Sequence, residues 1–121
     1  MVHRCSLPLP PTVNHLYPTG KDGKRYKSKE YRDWIKEAQE TAFLQRFARH
    51  PPGDGPYELC LNFVFRNAKR KQDASNRIKA VEDFVADWMG YDDSQNVRLI
   101  VQKSFHPESP RVDIIVRSGK I

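Results

Sequence analysis

Two cysteines in 121 residues are too few for a disulfide framework, and with no partner at close spacing they do not form a zinc site either. Cys5 and Cys60 therefore read as reduced core thiols; both lie in apolar, strand-like runs and could face each other in one sheet. The histidines His3, His15, His50 and His106 are scattered without ligand spacing. No apolar run is long enough to span a bilayer. Pro8, Pro10 and Pro11 interrupt the place where the apolar core of a leader would run, so a cytoplasmic protein is expected. Internal repeats and low-complexity segments are also missing. Positive charge, by contrast, is in excess: 21 Lys and Arg against 15 Asp and Glu, a net +6. That balance points to a polyanionic partner, and nucleic acid suits it better than a membrane. The length fits a single domain over 1–121 with one substantial core.

Taken in order, Val2 to Leu7 reads as a strand that ends at Pro8, because proline cannot supply a ladder N–H. Residues 14–27 place the turn cluster Gly20-Lys21-Asp22-Gly23 between Leu16-Tyr17 and Arg25-Tyr26, the pattern of a short lysine-rich hairpin. Such a hairpin either tracks a phosphate backbone or is a solvated excursion. Ser28 is a candidate N-cap for a helix from Lys29 to about Arg49, with Tyr31, Trp34, Ile35, Ala38, Ala42, Phe43 and Phe47 at helical period. This stripe suits a core or a dimer contact. His50 to Pro56, with three prolines and two glycines, is a loop. Tyr57 to Arg66 is the strongest strand: Leu59, Leu61, Phe63 and Phe65 alternate with Glu58, Cys60, Asn62 and Val64, predicting one apolar face and a central position. Val97 to Phe105 and Val112 to Arg117 form two further strands, expected to pair as an antiparallel hairpin. The order β, hairpin, α, β, α, β, β predicts an α+β fold, a single mixed β-sheet with two helices packed on it.

The most informative stretch runs from Gln72 to Gln95. Ser75 is a candidate N-cap for a second helix, Asn76 to about Met89, whose Ile78, Val81, Phe84, Val85 and Trp88 make one buried stripe. Ser75, Lys79 and Asp83 follow at one-turn intervals and share a face beside it. Gly90 is suited to the C′ position, and Asp92 and Asp93 follow in the loop. Lys69, Arg70 and Lys71 directly precede Asp73. Carboxylates suit Mg²⁺ or Mn²⁺ and a nearby lysine can hold a phosphate, so acids set in a basic surround are what a metal-dependent nuclease needs. Taken singly, each group also has a plain reading: Asp73 as a loop acid, Asp92-Asp93 as a polar turn, Lys79 as a solvated helix lysine.

Four patterns together resemble the RusA family of Holliday junction resolvases over most of the chain: Pro10-Pro11 followed by Asn14 and Tyr17; Tyr31-Arg32; Asp73-x-x-Asn76-x-x-Lys79 with Asp83; and Asp92-Asp93. The last two are the specific ones. The resemblance implies a homodimeric, Mg²⁺-dependent endonuclease, with Mn²⁺ as an alternative metal, that nicks opposed strands of a four-way DNA junction in recombination and repair. It implies metal-binding carboxylates at Asp73 and Asp93, a catalytic lysine at Lys79 and an accessory acid at Asp92. Lys69, Arg70, Lys71 and Arg77 are the expected DNA-binding residues. Small resolvases of this kind are often phage-borne, so a bacterial or phage gene is expected. Where the family often has a second aspartate, this chain has Ser75. Either Glu82 or Asp83 supplies the missing charge, or Ser75 holds a metal-bound water, or the site does not cut. The alternatives are a non-catalytic branched-DNA-binding module of the same fold and a structure-specific nuclease for flaps or forks.

Overall fold

The computed structural model describes residues 2–12, 27–68 and 74–119. The predicted hairpin at 14–27 therefore lies almost wholly outside the described residues. The elements are β1 (Val2–Leu7), α1 (Lys29–Leu44), β2 (Tyr57–Phe65), α2 (Ile78–Met89), β3 (Asn96–Phe105) and β4 (Arg111–Ser118). They form one mixed sheet in the order β1-β4-β2-β3, an α+β arrangement with two helices.

The predicted hairpin of the last two strands is not formed. β3 runs parallel to β2, while β4 inserts between β1 and β2 and is antiparallel to both. Burial explains the choice. Val112, Ile114 and Val116 of β4 are at most 1% exposed, so this strand needs a neighbour on each side and helices above it. β3 carries Arg98, Gln102 and Lys103 and keeps Val97, Leu99 and Phe105 exposed, which suits an edge. The α2 crossover between β2 and β3 also favours parallel pairing, because parallel neighbours need a connection of about a dozen residues or more.

β2 is central, as its pattern predicts, but its two faces differ less than expected. Leu59, Leu61, Phe63 and Phe65 are buried, and so are Val64 and Glu58 on the opposite face. Glu58 is covered by its cross-strand neighbours: Arg117 donates to it through Nε at 2.9 Å and through a second guanidinium nitrogen, and Arg98 lies 3.8 Å away. Cys5 and Cys60 do not face each other. Cys5 pairs with Ile114 on the buried face, whereas Cys60 pairs with Ile115 on the other, and β4 separates their strands. Both thiols are free, and burial pushes Cys5 up to about 12, which makes it unreactive. The histidines are less scattered than their spacing suggests, since the His3 and His50 rings meet edge to face at 5.1 Å.

Ser28 caps α1 by accepting from the Tyr31 N–H at 3.0 Å. The buried stripe of this helix is Tyr31, Trp34, Ala38 and Ala42. The helix ends at Leu44, five residues earlier than the periodicity suggests. Arg46 takes a left-handed φ of 56°, the Phe47 N–H bonds to the Ala42 carbonyl at 2.9 Å, and the Arg46 N–H bonds to that of Phe43 at 3.0 Å. This is a Schellman termination. It turns Phe47 into the core, where the Phe47 carbonyl accepts from Trp88 Nε1 at 3.1 Å. Phe43 lies one residue off the stripe and stays 71% exposed, contrary to its predicted place. Trp34 of α1 meets the Phe84 ring of α2 at 5.8 Å, and Phe84 stacks on Trp88 within α2 at 5.7 Å.

Candidate active site

α2 begins differently from its prediction. Ser75 is not an N-cap but the first residue of a 3₁₀ turn, Ser75–Arg77, that leads directly into the helix. The helix ends as its glycine predicts: Gly90 adopts a left-handed φ of 74°, and the N–H groups of Gly90 and Tyr91 both return to the Ala86 carbonyl. That termination turns the chain into a second 3₁₀ turn, Asp93–Gln95, just ahead of β3. Asp92 caps this turn by accepting from the Ser94 N–H at 2.9 Å, and the same bond holds its carboxyl below the usual aspartate range.

The turn brings Asp93 back to the first part of α2. The Lys79 ammonium donates to Asp83 at 2.9 Å, one helical turn along, and lies 3.6 Å from Asp93. The bond that Lys79 donates to Asp83 is the main reason why its pKa stands above the usual lysine range, and Asp93 reinforces it. The ammonium is therefore protonated throughout the neutral range. Glu82, half-buried on the same helix, behaves in the opposite way to Asp92. Burial first, and then the Asp93 charge, pushes its carboxyl up.

Lys79, Asp83 and Asp93 are thus assembled by the fold, with Asp92 beside them and Glu82 coupled to Asp93 through its charge. Asp73, Lys69, Arg70 and Lys71 lie outside the described residues. Arg77 points inward, donating to the Pro10 carbonyl and lying 5.7 Å from the Phe65 ring centroid. Beside the acids a cavity of about 510 Å³ opens between the start of α1 and the second half of α2. Its wall includes Asp83, Asp92 and Asp93, together with three polar residues that are not among the expected site residues: Lys27, Asp87 and Tyr91. Asp87 follows Asp83 by one turn, so helical spacing could have found it. Lys27, in the segment leading into α1, carries no such signal. Burial pushes the Tyr91 hydroxyl up to about 12, and it donates to Asn96 at 2.8 Å, so it serves as a fixed wall.

Among the described residues, no three His, Cys, Asp or Glu side chains are grouped so as to hold a metal ion. The chemistry of the acids nevertheless suits a hard divalent cation. Asp92 and Asp93 offer adjacent carboxylate oxygens, and Glu82 carries a crowded charge that a cation near Asp93 would relieve.

The α+β fold, a mixed sheet with two helices, thus gathers an acid-and-lysine cluster where its α2 crossover enters β3. Residues 8–117 match the family model described as Endodeoxyribonuclease RusA. The chain belongs to the RusA endodeoxyribonuclease family, and nuclease activity follows from that membership. No curated protein matches the chain. Among solved structures it is similar to 2C-methyl-D-erythritol 2,4-cyclodiphosphate synthase from Plasmodium vivax, at 6% identity over 96% of this chain and 95% of that one, with a TM-score of 0.30. A CDP complex of IspF from Plasmodium falciparum is similar at 11% identity over 95% and 92% of the two chains, also with a TM-score of 0.30. Similarity at that level carries no argument about this protein. No helix among the described residues is long and apolar enough to cross a membrane.

Proposed function

We propose that this chain is a Mg²⁺-dependent endonuclease that resolves four-way DNA junctions by paired nicks, acting as a homodimer. The observation that carries the reading is the Lys79 ammonium set between Asp83 and Asp93 in a member of an endodeoxyribonuclease family. Asp73, Asp92 and Asp93 would hold the metal. Bound there, Mg²⁺ supplies an activated water for phosphodiester hydrolysis and stabilises charge on the phosphate oxygens. Lys79, kept protonated by its carboxylate neighbours, offsets charge developing on the scissile phosphate or its leaving oxygen. Asp83 aims that ammonium, and because it is already bonded to Lys79, Glu82 is the better replacement for the acid that Ser75 lacks. Lys69, Arg70 and Lys71 hold the DNA backbone without reading sequence. A four-way junction has approximate two-fold symmetry, so a two-fold dimer presents one site to each opposed strand.

Ser75 favours a second reading. A neutral hydroxyl where the family often has a carboxylate suits a module that binds branched DNA without cutting it. The deciding experiment is nicking of an end-labelled four-way junction in Mg²⁺ and in Mn²⁺ by wild type and Asp73→Asn. Linear duplex, flap and fork substrates serve as comparisons. Symmetric nicks in the junction by the wild type alone support the resolvase. Binding without cleavage in either metal favours the module, and preferential cutting of flaps or forks reassigns the substrate.

A further inference from the structure

Lys79 is held at the acid cluster by its own ion pairs. Its ammonium already faces two carboxylates, at 2.9 and 3.6 Å. Lys27, which lines the cavity beside that cluster, is placed differently. Its Nζ lies 5.8 Å from the centroid of the Tyr31 ring, and among the described residues no carboxylate forms an ion pair with it. An ammonium resting on an aromatic face keeps its positive charge directed outward. Among the described residues, the other charged side chains on the cavity wall are Asp83, Asp87, Asp92 and Asp93, with Tyr91 held neutral. Lys79 offsets Asp83 and Asp93 from beside the cavity, but Asp87 and Asp92 keep the wall acidic and unfavourable to a polyanion. Lys27, the one cation among the described residues of that wall, therefore sets where a phosphate can enter.

We infer that Lys27 is a substrate-binding residue that holds a backbone phosphate of the DNA strand lying in this cavity. The inference rests on the nuclease reading for the identity of the strand, and on the cavity itself for the contact. Lys29, two residues further on, provides an internal control. It carries the same charge but is 85% exposed and paired with Asp33 at 3.7 Å.

The test is the salt dependence of binding to a four-way junction, and to linear duplex, in EDTA, for wild type, Lys27→Gln, Lys27→Arg and Lys29→Gln. One phosphate contact contributes about 0.9 to the slope of log affinity against log salt. Between 50 and 200 mM salt the wild type should therefore lose about 3.5-fold more affinity than Lys27→Gln. Lys27→Arg should restore the wild-type slope, and Lys29→Gln should keep it. Coincident slopes for Lys27→Gln and Lys29→Gln, with both variants melting like the wild type, would overturn the assignment. The nuclease reading stands or falls separately, on whether the wild type nicks the same junction in Mg²⁺.

Discussion

Replacing Lys79 with methionine separates a catalytic role from a structural one, because the structure predicts very different sizes for the two effects. The Lys79 side chain is 53% exposed and its partner Asp83 29%, and the lysine stands N-terminal to the acid, the weaker order for a helical pair. Such a pair contributes about 0.2–0.5 kcal/mol to stability. Methionine has nearly the same helix propensity and keeps the aliphatic stem. The melting temperature should therefore fall by only about 2 °C. Removing a fixed positive group that stabilises a developing oxyanion costs about 10²–10³ in rate, equivalent to about 2.7–4 kcal/mol. The assay pairs single-turnover nicking of an end-labelled junction in Mg²⁺ with thermal melting of the same preparations. A rate loss of that size with a melt lowered by only about 2 °C is the expected result. Unchanged cleavage by a folded Lys79→Met protein would refute the catalytic role, and a fall of more than about 5 °C would show that the pair is structural.

Arg46→Gly should stabilise the protein by about 0.5–1 kcal/mol, since Arg46 holds a left-handed φ of 56° that glycine adopts without a Cβ penalty; urea titration measures it. Glu58→Gln should remove part of the acid sensitivity of the fold. The bond from Arg117 holds the Glu58 carboxyl below the usual glutamate range, partly against its burial. A depressed folded-state pKa contributes stability above the unfolded value, and that stability is lost as pH falls through the lower folded value. Melting temperatures of wild type and Glu58→Gln should therefore converge on acidification through and below the ordinary glutamate range, and a constant gap would exclude this role for Glu58.

Much of the secondary structure was legible because it depends on neighbours in the chain. The alternation from Tyr57 to Phe65, the Ser28 cap and the left-handed Gly90 were each predicted by local stereochemistry and are each present. The structure departs from the local pattern where a distant partner decides the outcome. The chain beyond Leu44 still looks helical, yet the Arg46 turn ends the helix there, and Phe47 is buried with its carbonyl bonded to the Trp88 indole. Ser75 looks like a cap, but a 3₁₀ turn continuous with α2 occupies that place. Val112, Ile114 and Val116 read as an ordinary hairpin strand until the sheet order shows them at its centre.

The same division runs through the site. Sequence alone determined the chemical inventory: an acid and a lysine one turn apart on a helix, two aspartates after its glycine stop, and a surplus of positive charge, all set by spacing and composition. Only the tertiary structure decided which of these groups meet. The Gly90 termination and the crossover into β3 return Asp93 to within 3.6 Å of Lys79, and the approach of α1 to α2 sets Lys27 on the same cavity wall. Contacts between residues this far apart in the chain arise from packing of apolar faces, which periodicity reveals only as a face without saying what will cover it.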